Sequence, residues 1–136
     1  MAENMFRLQI ISPDRIFYDG EAKMLEMVTT EGEVGIYKGH IPMTNVLKPG
    51  IVTIHEENGI KRAAVHEGFV EILPDEITIM AEVAEWPDEI DVNRAKEAEG
   101  RAQNRIKSQS KDIDVARAEA ALKRALTRIE LVERYK

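Results

Sequence analysis

Residues 77–95 read Ile77-Thr78-Ile79-Met80-Ala81-Glu82-Val83-Ala84-Glu85-Trp86-Pro87-Asp88-Glu89-Ile90-Asp91-Val92-Asn93-Arg94-Ala95. In this stretch the period of the chain changes. Ile77, Ile79, Ala81 and Val83 alternate with Thr78, Met80 and Glu82, the two-residue repeat of a half-buried strand. After Pro87 the alternation stops, and Asp91 opens a long run without proline, as a helix N-cap would. The chain therefore divides into a strand-rich part, residues 1–86, and a helical part, residues 87–136.

Upstream the strand signals repeat. Phe6, Leu8 and Ile10 alternate with Arg7 and Gln9, and further strands fit residues 22–29, 51–56, 60–66 and 68–73. Asn58-Gly59 separates two alternating runs and predicts a tight hairpin, because both residues tolerate positive φ. Pro74-Asp75 sets a turn before Ile77. Many short strands with frequent turns predict a sandwich or flattened barrel.

Downstream, residues 91–135 are rich in Ala, Glu, Lys, Arg and Leu, all good helix formers. The segment Ser108-Gln109-Ser110-Lys111-Asp112 breaks the pattern and reads as a tight link between two antiparallel helices. Ala95, Ala98, Ala102 and Ile106 form one stripe of the first helix. Ala118, Leu122, Ala125, Ile129 and Val132 form a seam of the second with coiled-coil spacing. With so few large apolar residues the hairpin is expected to be weak by itself and to lean on the sandwich or a partner. The predicted class is α+β: an N-terminal antiparallel β-sandwich followed by a C-terminal antiparallel two-helix hairpin.

At about 100° per residue, Arg94, Arg101 and Arg105 fall on one stripe beside the alanines of the first helix, and Arg117, Arg124 and Arg128 on one beside the seam of the second. In an antiparallel pair the two rows are expected on the same side, with Arg94 level with Arg124 and Arg128. Guanidinium groups suit phosphate through forked hydrogen bonds. Spacing alone fits a solvated charged face, a surface that docks on an acidic protein, or a bound polyanion.

Composition narrows the function. The 136 residues carry a net charge of −6, and there is no cysteine, hence no disulfide, thiolate metal site or cysteine nucleophile. Residues 1–87 hold 7 Lys and Arg against 15 Asp and Glu, and residues 88–136 hold 12 against 10; that balance argues against nucleic acid as a partner. No stretch approaches the roughly 20 apolar residues of a membrane span, and the first residues, MAENMFRLQIIS, lack the features of a secretory signal. A soluble, cytosolic protein is expected, reaching a membrane only through a partner. His40, His55 and His66 show no metal-ligand spacing, and no Walker-type loop or nucleophile–base pair stands out. Trp86 is expected to pack at the junction.

The segment Thr30-Glu31-Gly32-Glu33-Val34-Gly35-Ile36-Tyr37-Lys38-Gly39-His40-Ile41-Pro42-Met43, followed by Leu47-Lys48-Pro49-Gly50, resembles a signature of bacterial F-type ATP synthase epsilon subunits. Those proteins read Gly-x-x-Gly-Ile-Leu-Pro-Gly-His-x-Pro and then Leu-x-x-Gly. Glu67-Gly68-Phe69-Val70-Glu71 is similar to the family's Gly-Gly-Phe strand, and the likeness continues through both helices. Tyr37-Lys38 stands where the family has Leu-Pro, and Glu67 where it has the first glycine.

The resemblance implies a non-catalytic rotor subunit of a proton-translocating ATP synthase. It implies a sandwich bound to the gamma subunit and the c-ring, and a hairpin that either folds on the sandwich or extends among the alpha and beta subunits and blocks hydrolysis. The location implied is the cytoplasmic face of the bacterial plasma membrane. ATP is the implied regulatory ligand, not turned over, and no protein-ligated metal is expected. The family's ATP motif, Ile/Leu-Asp-x-x-Arg-Ala, is matched by Ile90-Asp91-Val92-Asn93-Arg94-Ala95, and the supporting positions by Glu85, Arg101, Arg124 and Arg128. The roles implied are phosphate binding by Arg94, Arg124 and Arg128 with support from Arg101, and a hold on the adenosine end by Glu85 and Asp91. Capping the first helix is the other reading of Asp91. The alternative function is a β-sandwich that binds a small molecule and carries a coiled-coil oligomerisation tail; the rotor reading expects a monomer in isolation.

Overall fold

A computed structural model describes residues 4–108 and 114–135. Eight strands run in chain order: β1 (Phe6–Ser12), β2 (Arg15–Ala22), β3 (Met24–Thr29), β4 (Gly32–Tyr37), β5 (Met43–Leu47), β6 (Gly50–His55), β7 (Ile60–Ile72) and β8 (Glu76–Glu85). A single 3-10 turn, Pro87–Glu89, leads to α1 (Val92–Ser108) and α2 (Val115–Tyr135). The expected class is observed. Ser108 closes α1, and the rest of the predicted interhelical link, residues 109–112, lies outside the described residues.

The strands join in the order β2-β1-β8-β7-β5-β3-β4, with β6 lying against both β3 and β7. Long β7 is the spine: β8 runs along one edge, while β6 and then β5 pair with the other. All pairs are antiparallel except β1 with β8, which run parallel. Phe6, Leu8, Ile10, Leu25, Ile54 and Ile79 are among the fully buried side chains of the core that the folded sheet encloses. The predicted turns form: Glu56 N–H donates to Gly59 O at Asn58-Gly59, and Leu73 N–H to Glu76 O at Pro74-Asp75.

Three strands escape the alternation test. In β2 adjacent Phe17 and Tyr18 are both buried, beside a register shift between Ile10 and Ile11 of β1. β4 holds two glycines and lies at the edge of the sheet, and β5 is only five residues long. The predicted strands 60–66 and 68–73 are one strand, β7, with a change of phase inside it.

That change of phase positions the site. Ala63 and Val65 point into the core from the first half of β7; Val70 and Ile72 do so from the second half. Odd positions face inward before residue 67 and even positions after it. Glu67 and Gly68, both with positive φ (59° and 134°), mark the switch. β8 switches with its partner: Ile77, Ile79 and Ala81 are core residues, then Ala84. The expectation that Val83 continues the buried row therefore fails; it is exposed. A Cβ on Gly68 would sit 2.0 Å from the Met80 carbonyl oxygen, so only glycine permits this approach of β7 to β8. As a result Ala64 and His66 of β7, and Glu85 of β8, face the hairpin and not the sandwich interior.

Candidate functional site

Four contacts along one stripe of α2 seat the hairpin on the first half of β7 and the end of β8. Arg62 lies over the Tyr135 ring at 4.0 Å from its centroid. Leu131, fully buried, packs with Ala64 and Ile90. Arg128 Nε donates to Glu85 Oε1 at 2.7 Å, and His66 Nε2 lies 3.0 Å from the same oxygen. Arg124 Nη1 pairs with Glu67 Oε1. Positions 124, 128, 131 and 135 recur at helical spacing, while 62, 64 and 66 recur at strand spacing. Two different periods thus meet along one line.

Packing explains why the predicted seam of α2 is only half of its buried surface. Ala118 and Ala125 are buried as expected, and Leu122, Ile129 and Val132 are half-buried. Thr127 and Leu131, outside the seam, are buried as well. α2 has two neighbours, α1 and the sandwich, and so needs two apolar stripes. The α1 stripe behaves as predicted, with Ala95 and Ala102 buried and Ala98 and Ile106 half-buried. Lys96 of α1 pairs with Glu133 of α2 at 3.1 Å, as antiparallel neighbours allow.

The entry to α1 is fixed by charge. Arg15 of β2 grips Glu89 with both terminal nitrogens, each at 2.9 Å from a carboxylate oxygen. Glu89 also accepts the Trp86 N–H at 2.8 Å; the hydrogen bond from Arg15 is the main reason its carboxyl sits below the usual range. Trp86 stacks on Phe17 with ring centroids 4.2 Å apart. Asp91 accepts the Arg94 N–H at 3.1 Å, an N-cap of α1, and Asp114 caps α2 in the same way through the Arg117 N–H.

The eight predicted ligand-site residues separate into two sets. Glu85 and Arg128 touch, Arg124 is held by Glu67 on the adjoining strand, and Ile90 is buried beneath Leu131. Arg94 and Arg101 are exposed on α1 and Asp91 is exposed just before it, with Ala95 turned into the helix interface. Among the described residues, the side chains of Arg94, Arg101, Arg105 and Arg117 have no ion-pair partner, whereas Arg124 and Arg128 each have one. Burial alone would raise the Glu85 carboxyl. Hydrogen bonds from His66 and Arg128 outweigh it and hold the group below the ordinary carboxylate range. The sequence reading missed Glu67 and His66. Glu67 marks a departure from the resembled Gly-Gly-Phe and His66 belongs to no motif, and neither signal points to α2; only the change of phase in β7 turns them toward it. His66 Nδ1 is buried without a hydrogen-bond partner among the described residues.

A groove of about 800 Å³ also opens between α2 and strands β3, β4 and β6. Glu26, Glu33 and Glu130 line it with Lys123, so it offers a polyanion more repulsion than attraction. Among the described residues no group of three or more His, Asp or Glu side chains is placed to hold a metal ion, and no helix is long and apolar enough to cross a membrane.

The geometry defines a class: a small β-sandwich carrying a docked helical hairpin, with Arg124 and Arg128 of α2 paired to carboxylates where the two meet. Two family models divide the chain between them: the ATP synthase delta/epsilon chain β-sandwich domain over residues 5–87, and the delta/epsilon chain long α-helix domain over residues 88–133. An ATP synthase epsilon chain of Caldanaerobacter subterraneus subsp. tengcongensis is 37% identical over 98% of this chain and 97% of its own length. One of Shouchella clausii is 41% identical over 93% and 94%. The chain belongs to the ATP synthase epsilon-chain family, central-stalk subunits that are not enzymes in themselves. A chain in the cryo-EM structure of the Euglena gracilis mitochondrial ATP synthase (OSCP/F1/c-ring, rotational state 1) has the same fold. It matches with a TM-score of 0.81 at 21% identity, over 90% of this chain and 78% of that one. Membership displaces the alternative of a small-molecule-binding sandwich with an oligomerising tail.

Proposed function

We propose that this subunit restrains ATP hydrolysis through its hairpin and that ATP holds the hairpin in the docked position described above. The observation that carries the reading is the charge pattern at the junction. Arg94, in the first turn of α1, and Arg101, in its middle, are unpaired and exposed, while Arg124 and Arg128 of α2 are held by single carboxylates at the sandwich rim. A triphosphate that draws on both helices stabilises their docked arrangement, because release of α2 separates Arg128 from Glu85. A ligand shifts such a balance by its difference in affinity for the two states. Asp91 is committed to capping α1, and Glu85 to Arg128, so the adenosine end gains one carboxylate acceptor at most from each.

The released hairpin extends among the alpha and beta subunits and opposes rotation in the hydrolysis direction. The sandwich carries the subunit on gamma and the c-ring, so membrane association, at the cytoplasmic face, comes through the complex. Support for a docking face comes from a cross-strand row of exposed apolar side chains: Val46 of β5 opposite Phe69 of β7, which lies opposite Met80 of β8. A row of this kind on an outer face fits a protein partner.

The test is calorimetric titration of the full chain with ATP, alongside the variant Arg94→Ala. The proposal expects saturable binding that weakens at least tenfold in the variant, the scale of one lost charge-assisted contact of about 1.5–3 kcal/mol. Equal affinity in both removes the site.

A further inference from the structure

The structure assigns a role to Glu67: it is a resident anion that occupies Arg124 and competes for it with a phosphate group. The assignment rests on the ATP reading above and deepens it. Three observations converge. The φ of Glu67, 59°, lies in the left-handed region that disfavours side chains other than glycine and a few polar ones. A large residue at that angle is uncommon and calls for a compensating contact. The contact is present: the carboxylate pairs with the Arg124 guanidinium across the junction of β7 and α2. Both partners are about one-third exposed, with side-chain accessibilities of 31% for Arg124 and 40% for Glu67, so a soluble anion can reach the pair.

A phosphate group seeking Arg124 must displace this carboxylate. Like charges at one guanidinium exclude each other, so the affinity for ATP falls by the stability of the internal pair. The same pair holds α2 on the sandwich when no ligand is bound. Glu67 therefore makes docking partly independent of ATP and makes ATP binding weaker. A chain with glycine at this position would have tighter ATP binding and a looser ligand-free hairpin.

The test uses the full chain with Glu67→Gln, which keeps size and backbone preference but removes the charge, and Glu67→Gly, which also relieves the left-handed angle. ATP affinity is read by titration, and ligand-free docking by hydrogen exchange of α2 peptides. Both variants are expected to bind ATP about two- to fivefold more tightly and to exchange α2 amides faster by a similar factor, the range of a partly exposed ion pair. Glu82→Gln removes an equal charge from exposed β8 without touching Arg124, and is expected to do neither. Unchanged or weaker ATP binding by the Glu67 variants, while Arg94→Ala still loses binding, overturns the competition and leaves the ATP site standing. An equal gain in Glu82→Gln overturns it too, because the effect would then be general charge. If wild type and Arg94→Ala alike fail to bind ATP, the site reading falls and the competition falls with it. Unaltered α2 exchange in the Glu67 variants then also removes the docking role.

Discussion

Leu131→Ala should release the hairpin from the sandwich and leave the sandwich folded. Leu131 is fully buried against Ala64 and Ile90, and it is the only large aliphatic side chain of α2 in that cluster that is completely enclosed. Truncating a buried leucine to alanine costs about 2–5 kcal/mol, through lost transfer energy and the cavity left behind. Val132 and Tyr135 of α2 also pack on this cluster beside Ile51 of β6, each only half-buried. Two partly exposed ion pairs, Arg124 with Glu67 and Arg128 with Glu85, and one stacked cation, Arg62 on Tyr135, contribute about 0.5–1 kcal/mol each. Leu131 is the most deeply buried of these α2 contacts, so its removal takes away a large share of the docking energy. Even the low end of the range, about 2 kcal/mol, raises the undocked population about 30-fold. Hydrogen exchange read by mass spectrometry resolves this by peptide. Peptides from α2 should lose protection in proportion, while peptides from β1 and the second half of β7 keep theirs. Equal loss of protection in both, or none in α2, would refute a hairpin docked mainly through Leu131.

Three further outcomes follow from particular residues. Gly68→Ala should cost the sandwich more than about 3 kcal/mol in denaturant unfolding, because a Cβ would collide with the Met80 carbonyl at a φ of 134°. Its survivors should also show weaker hairpin docking, since the change of phase that aims His66 and Glu85 at α2 is lost. Glu85 has a depressed carboxyl, so its contribution to docking is present above the ordinary glutamate value of about 4.3 and disappears as pH falls through its lower folded value. α2 protection should thus hold from pH 7 to about 5 and decline below about 4.3, with a smaller decline in Glu85→Gln. Phe69→Glu, on an exposed position of β7, should leave unfolding within about 0.5 kcal/mol of wild type yet abolish co-purification with the gamma subunit; retained binding would move the partner to another face.

Much of this architecture was legible from periodicity. The switch of repeat after Glu85 marked where strands give way to helices, and Asn58-Gly59 and Pro74-Asp75 turned where their backbone preferences demand. That the hairpin leans on the sandwich was legible too, because alanine stripes bury little area by themselves. The change of phase in β7 and β8 was not. Strict alternation carries Val83 inward and Glu85 with it; two successive residues of positive φ reverse that, and nothing in a hydrophobic pattern reports φ. The same blindness hid Glu67, whose partner lies 57 residues away on another element. Leu131 escaped because a single seam was sought on a helix that has two neighbours. The arginines of α2 were found by spacing, but spacing could not say that Arg124 and Arg128 already have carboxylates.

The account turns on whether ATP favours the docked hairpin, and the absence of cysteine makes that directly measurable. Cysteines introduced at exposed Ile16 of β2 and Gln103 of α1 take spin labels at those two sites alone. In the Leu131→Ala background, which populates the undocked state, the distance distribution between the labels should be broad without nucleotide and collapse to the docked separation with saturating ATP. Arg94→Ala should prevent that collapse. A distribution that ignores ATP, or that responds equally with and without Arg94, would contradict the account.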